Sequence, residues 1–200
     1  MRFLHAGPDA LLVEVADVAS ATALFAQARD RLVEAADVVP GARTVLFDGV
    51  RDLDGLVSAV ASWSLEPLTA EPAERVEVPT IYDGPDLAAV ARVWDMTARE
   101  VVETHTSCEM VVAFSGFAPG FAYCTGLPVA LAVPRLASPR ATVPAGSVGL
   151  AGEFTGVYPQ ASPGGWQLVG HTDLLLWDET QDEPAALPPG TAVRFVEVTT

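Results

Sequence analysis

The sequence contains no lysine and no asparagine, and Ile81 is its single isoleucine. All 11 formal cations are therefore arginines. Without lysine the chain cannot complete a Walker A loop, whose Gly-Lys-Ser/Thr grips nucleotide phosphates. It cannot form a lysine Schiff base, and it cannot carry biotin on a lysine. Positive charge is scarce as well: 26 acids give a formal net charge of -15. The acids are spread over both halves, with no basic stripe. Phosphate neutralisation needs clustered cations, so nucleic acid and anionic membrane surfaces are not the expected partners.

Cysteine is also sparse. Cys108 and Cys124 are the only two, and the expectation is two reduced, mostly buried thiols. The three histidines, His5, His105 and His171, stand far apart. No His/Cys/carboxylate group has zinc-site spacing, so no metal site is expected. No apolar run reaches the ~20 residues of a membrane span. The N-terminal residues lack a signal-peptide pattern, which makes a cytoplasmic location the expectation.

What is abundant is apolar material, 50% of the residues, with 16 Gly and 16 Pro. The first part reads as strand, strand, helix, strand, strand, helix. Short strands are expected at Arg2 to Ala6, Ala10 to Val15, around Val38 and at Thr44 to Phe47. A helix is expected from Val18 to Glu34, with Val18, Ala21, Phe25, Ala28 and Leu32 on one face. A second starts near Asp52 or Asp54, either of which can cap it. That order predicts helices packed on one face of a mainly antiparallel sheet. The pattern weakens from Ser64 to Glu77, the linker candidate.

The second part opens with a strand at Val76 to Tyr82. A helix follows that Asp86 can cap, then a helix with a capping box from Thr97 to Glu100. That helix is expected to end near His105, after which the helical period is lost and Glu109 to Phe114 reads as a strand. Between Phe114 and His171 lie ten of the glycines, seven of the prolines and only three charged residues, Arg135, Arg140 and Glu153. Such a stretch must fold into short strands and shaped turns. Closing strands are expected at Asp173 to Trp177 and Ala192 to Val198. The overall prediction is an α+β chain: a small two-layer α/β sandwich at 1-78 and a β-barrel or β-sandwich at 79-200.

Within that neutral stretch, Arg135 and Arg140 offer guanidinium forks suited to a carboxylate or phosphate. They can equally brace strands through backbone carbonyls. Ser147, Thr155, Tyr158 and Gln167 supply neutral donors and acceptors. Gly146 and Gly165 let backbone approach a ligand beside Ser147 and Trp166. His105 near a helix end is either a general acid/base or a C-terminal cap. Trp166 and the phenylalanines of 114–121 read first as core.

The motifs resemble those of the KipI family, also called allophanate hydrolase subunit 1, which includes the B component of bacterial 5-oxoprolinase. They are Gly116-Phe117-Ala118-Pro119-Gly120-Phe121-Ala122-Tyr123, Pro134-Arg135 with Pro139-Arg140, Val143 to Val148, Thr155 to Pro159, and Ser162 to Thr172. Gly84 to Leu87 and Glu100 to His105 fit as well. Cys124, His171 and Asp173 depart from the usual residues, and the loop around Asp83 is short. The resemblance implies that the second domain is a cyclophilin-like β-barrel. It implies an ATP-dependent complex of three parts that opens 5-oxo-L-proline to L-glutamate, the other two being a KipA-like C component and a lactam-hydrolase A component. By the same resemblance ATP and Mg2+ are expected to serve the complex, with neither held by this chain through a recognisable motif, and the chain alone is expected to be inactive. It further implies a functional His105, and a substrate or partner surface bearing Arg135, Arg140, Ser147, Thr155, Tyr158 and Trp166. Two other roles occur in the family: inhibition of a histidine kinase, and half of a biotin-dependent carboxyltransferase as in urea carboxylase.

Overall fold

The computed structural model describes residues 1–65 and 75–199. The chain divides into two compact units, Met1–Glu71 and Pro72–Thr200. Most of the linker expected at 64–77 lies outside the described residues.

The first unit contains β1 (Arg2–His5), β2 (Leu11–Glu14), α1 (Val18–Asp30), β3 (Asp37–Pro40), β4 (Thr44–Asp48) and α2 (Leu53–Ala61). Its sheet has the order β1-β2-β4-β3, antiparallel throughout. Leu11, Val13, Val45 and Phe47 point from the sheet into one core with Leu24, Ala28 and Val60 of the helices. Asp17 caps α1 through the Ser20 amide, and Asp52 caps α2 through Gly55. Helix α1 stops at Asp30, short of the expected Glu34. The Val33 amide turns back to the Ala28 carbonyl, and Leu32 takes a φ of 50°. That left-handed closure normally falls to glycine.

The second unit contains β5 (Arg75–Thr80), α3 (Leu87–Trp94), α4 (Ala98–Ser107), β6 (Met110–Ser115) and β7 (Ala122–Thr125). There follow β8 (Arg140–Val143), β9 (Ser147–Ala151), β10 (Phe154–Val157), β11 (Ser162–Gly164), β12 (Gln167–His171) and β13 (Ala192–Glu197). Seven strands form one sheet in the order β12-β9-β10-β7-β6-β13-β5, and β8 with β11 makes a separate ribbon. A boundary at 78 would cut β5, whose Val76, Glu77 and Val78 pair with Val193, Arg194 and Phe195.

The seven-stranded sheet nearly closes into a barrel. Past β5, Ile81 exchanges both backbone hydrogen bonds with His171 at the end of β12, each 2.9 Å. The amides of Gly84 and Asp86 then donate to the Val169 and Leu168 carbonyls. This seam requires glycine. A Cβ on Gly84 would collide with the Leu168 carbonyl, and one on Gly170 with the Ile81 carbonyl.

The expected strand Asp173–Trp177 does not form. Its only pairing is an isolated bridge between Trp177 and Ala185. Leu174 and Leu176 pack on the core while Leu175 and Trp177 are exposed. The alternation is that of extended chain, with no neighbouring strand to complete a ladder. The capping box at Thr97 and Glu100 forms as the spacing predicts.

Candidate functional site

Both faces of the barrel sheet are apolar, and they serve different ends. On one face Val148, Leu150, Val157 and Cys124 join Val90, Trp94 and Val101 from the helices in the main core. On the opposite face Phe121, Tyr123, Phe154 and Ala151 meet Val143 of the β8–β11 ribbon, Tyr158 and Trp166. Strand periodicity divides the candidate residues accordingly. Thr155 shares its face with Val157, whereas Ser147 lies on the aromatic side with Ala151.

The aromatic side opens into a small recess of about 70 Å³ lined by Phe117, Tyr123, Arg135, Tyr158, Gly164 and Trp166, among others. The rings meet edge-on: Phe121 to Trp166 at 5.3 Å and Phe117 to Tyr158 at 6.2 Å between centroids. Such crossings set the positive edge of one ring against the negative face of the next. Phe117 sits in a left-handed turn at φ 68° and is 61% exposed. Gly164 lies against the Tyr158 ring, where a Cβ would collide with the phenol oxygen.

Burial raises the Tyr158 hydroxyl pKa above its ordinary value, opposed by a hydrogen bond from the Trp166 amide and by the charge of Arg135. Tyr123 is raised by burial in the same way, and Arg135 again opposes. Both phenols are therefore neutral hydrogen-bonding groups at pH 7. Arg135 is exposed and makes no ion pair among the described residues. A carboxylate entering the recess would meet its unpaired guanidinium, with aromatic faces below.

Arg140 differs from the expectation of a paired ligand clamp. Its Nη2 donates to both oxygens of Asp86 at 2.7 and 2.8 Å, and its Nη1 to the Trp166 carbonyl at 3.3 Å. Asp86 also accepts the Leu168 amide at 2.7 Å. Asp86 stands at the start of α3 but makes no side-chain cap, because its carboxylate is spent on the seam. Arg140 thus braces β8 to the start of α3 and to the residue preceding β12, the bracing alternative left open by the residues alone. Nothing local to Asp86 signals this, since its partners are remote in sequence.

His105 is completely buried. Its Nδ1 is 2.6 Å from the Tyr82 hydroxyl and its Nε2 is 3.3 Å from Thr155 Oγ1. The ring also packs on Phe195 at 4.7 Å. Burial lowers its pKa to about 3, so the imidazole is neutral, with one nitrogen to donate and one to accept. These bonds run to the barrel and the seam, not to the last carbonyls of α4. The imidazole is therefore not a C-terminal cap. Tyr82, on the seam loop, was missed as a partner because sequence spacing carries no trace of the contact. Cys124 is buried, its thiol pushed up to about 12 by burial. Burial raises the half-buried Cys108 as well.

A family model described as carboxyltransferase domain, subdomain C and D, matches residues 1–187. The chain belongs to this family. Among its relatives, the B component of 5-oxoprolinase from Escherichia coli O157:H7 is 51% identical over 144 residues, 70% of this chain and 66% of that protein. The Bacillus subtilis (strain 168) protein of the same name is 47% identical over 126 residues, 62% of this chain and 52% of that one. That of Haemophilus influenzae is 40% identical over 157 residues, 76% and 74%. The matched region thus spans just under two thirds of the first relative and about half of the second. The crystal structure of TTHA0988 superposes with a TM-score of 0.79 at 29% identity, over 96% of this chain and 40% of that one. Kluyveromyces lactis urea carboxylase shares the fold, with a TM-score of 0.70 at 20% identity over 98% of this chain and 22% of that one. In this carboxyltransferase-domain chain the motifs fall into two sets. Gly84 to Leu87, Arg140 and Gly170 build the seam, while Phe117 to Tyr123, Arg135, Tyr158 and Trp166 build the recess.

Proposed function

We propose that the chain is the B component of an ATP-dependent 5-oxoprolinase, converting 5-oxo-L-proline to L-glutamate with a KipA-like C component and a lactam-hydrolase A component. The identity with three proteins named as this component of 5-oxoprolinase carries the reading. The similar region is only 40% of the TTHA0988 chain, which supports a module that works beside further sequence. The recess supplies a fitting chemistry. Arg135 takes the substrate carboxylate, the lactam ring lies against Phe117 and Trp166, and the Gly164–Gly165 backbone comes close. In the reaction the γ-phosphoryl group of ATP passes to the lactam oxygen and ADP leaves; water then adds to the activated ring carbon, the C–N bond breaks, and glutamate and phosphate are released. The chain has no lysine to complete a phosphate loop, which supports a reading in which the partner components hold ATP and Mg2+. His105 is a positioning residue, tying α4 to β10 and to the seam.

The test is reconstitution of the three components with 5-oxoproline and ATP. Glutamate release should require this chain, and a strain lacking the gene should accumulate 5-oxoproline. Undiminished activity without the chain would overturn the proposal. The family description favours one second reading, half of a biotin-dependent carboxyltransferase. Biotin-dependent carboxylation by the reconstituted complex would select it instead.

A further inference from the structure

The first unit carries a recess that the proposed function does not use. It has a volume of about 390 Å³ and is lined by Arg31, Val50, Arg51, Leu56 and Trp63, with Val33 and Glu34 at its side. A neighbouring hollow of about 360 Å³ shares Glu34 and Arg51. Recesses of this size suit small organic ligands. Its apolar lining comes from Val50, Leu56 and the indole of Trp63, with Val33 beside them.

Two independent features mark it as more than a surface fold. The Arg31 guanidinium lies over the Trp63 ring, 4.9 Å from its centroid. Stacking fixes the plane of the guanidinium and leaves its N–H edges free to bind. Neither Arg31 nor Arg51 has an ion pair among the described residues, as is also true of Arg29, Arg92, Arg135 and Arg194, so both are available to a ligand. The second feature is Leu32. It is 85% exposed and holds φ at 50°, a conformation costing a leucine about 1 kcal/mol. That turn ends α1 so that Arg31 meets Trp63 and the chain then runs past the recess through Val33 and Glu34.

We propose that this recess binds a small organic carboxylate with an apolar body. Arg31 and Arg51 share the carboxylate, and the body lies on Val50, Leu56 and Trp63. Two carboxylates of the chain also line the recess. Asp52 is occupied by the Gly55 amide at 2.9 Å, and Glu34 stands at the side shared with the neighbouring hollow and opposes the ligand. The site lies wholly within the first unit and does not depend on the 5-oxoprolinase reading.

The probe is benzoate, titrated into the full chain against its neutral isostere benzamide, with the Trp63 indole and Gly55 amide followed by NMR. Benzoate should produce saturable shifts, and benzamide should bind at least tenfold more weakly. Arg51→Gln and Arg31→Gln should each weaken benzoate about fivefold or more, while Glu34→Gln should tighten it. Equal binding of benzoate and benzamide, the absence of a saturable shift with benzoate, or unchanged affinity in Arg51→Gln would overturn the proposal.

Discussion

Arg135 and Arg140 stand in the same local setting, each directly after a proline in one short neutral stretch, yet the fold uses them in opposite ways. Arg140 is half-buried and holds Asp86 in a two-oxygen grip, with side-chain exposures of 28% and 11%. Arg135 is exposed beside the aromatic recess and makes no ion pair among the described residues. The difference comes from what each meets in space. Arg140 begins β8 opposite Gly164 of β11, within reach of the barrel seam. Arg135 precedes the ribbon and finds rings instead. One guanidinium is an internal brace, and the other stays exposed at the recess, unpaired among the described residues.

The sharpest way to separate them is truncation. Arg140→Ala should cost about 3 kcal/mol in denaturant unfolding, because it strands the Asp86 carboxylate in a largely buried site. A destabilisation below about 1 kcal/mol would show that the grip is ornamental. The seam itself comes next. Gly170→Ala should cost about 2 kcal/mol, since the added methyl must push aside the Ile81 carbonyl. A melting temperature equal to wild type would show that the seam yields.

His105 gives the core side a pH signature. Its folded pKa, lowered to about 3 by burial, lies below the unfolded value near 6.5. Below that unfolded value the unfolded chain takes up a proton that the folded chain refuses. Stability should therefore be full above pH 6.5 and fall as pH drops toward 3. The His105 contribution to the slope approaches about 1.4 kcal/mol per pH unit. His105→Gln should flatten that slope, and an unchanged profile would refute the assignment. The smallest effect on stability belongs to Arg135→Ala, within about 0.5 kcal/mol. In the reconstituted complex it should nonetheless raise KM for 5-oxoproline roughly tenfold. Loss of stability with unchanged KM would reverse the contrast with Arg140.

The element order was legible wherever local signals governed. The alternation of β2 and β4 and the Thr97–Glu100 box follow from spacing, which also narrowed the α2 cap to Asp52 or Asp54. Sequence reasoning failed where distant partners decide. Asp86 has the position of a helix cap but gives its carboxylate to Arg140 and Leu168. The run Asp173–Trp177 has the alternation of a strand but lacks a ladder partner. Of the candidate site residues, Arg135, Tyr158 and Trp166 come together at the recess. His105 and Thr155 meet each other on the other side of the sheet. The motifs marked important positions without distinguishing architecture from binding, because tight backbone contact requires glycine in both roles.

The parallel pairing of β5 with β13 also governs how the chain is made. The strand that opens the second unit finds its ladder partner only in the last strand of the sheet. During synthesis β5 therefore waits, unpaired along that edge, until nearly the whole unit has left the ribosome. Such non-local closure slows folding and leaves an exposed strand edge open to wrong partners. Assembly of the barrel is thus a late event in the life of the nascent chain, and the interval before it is when the chain is most open to aggregation.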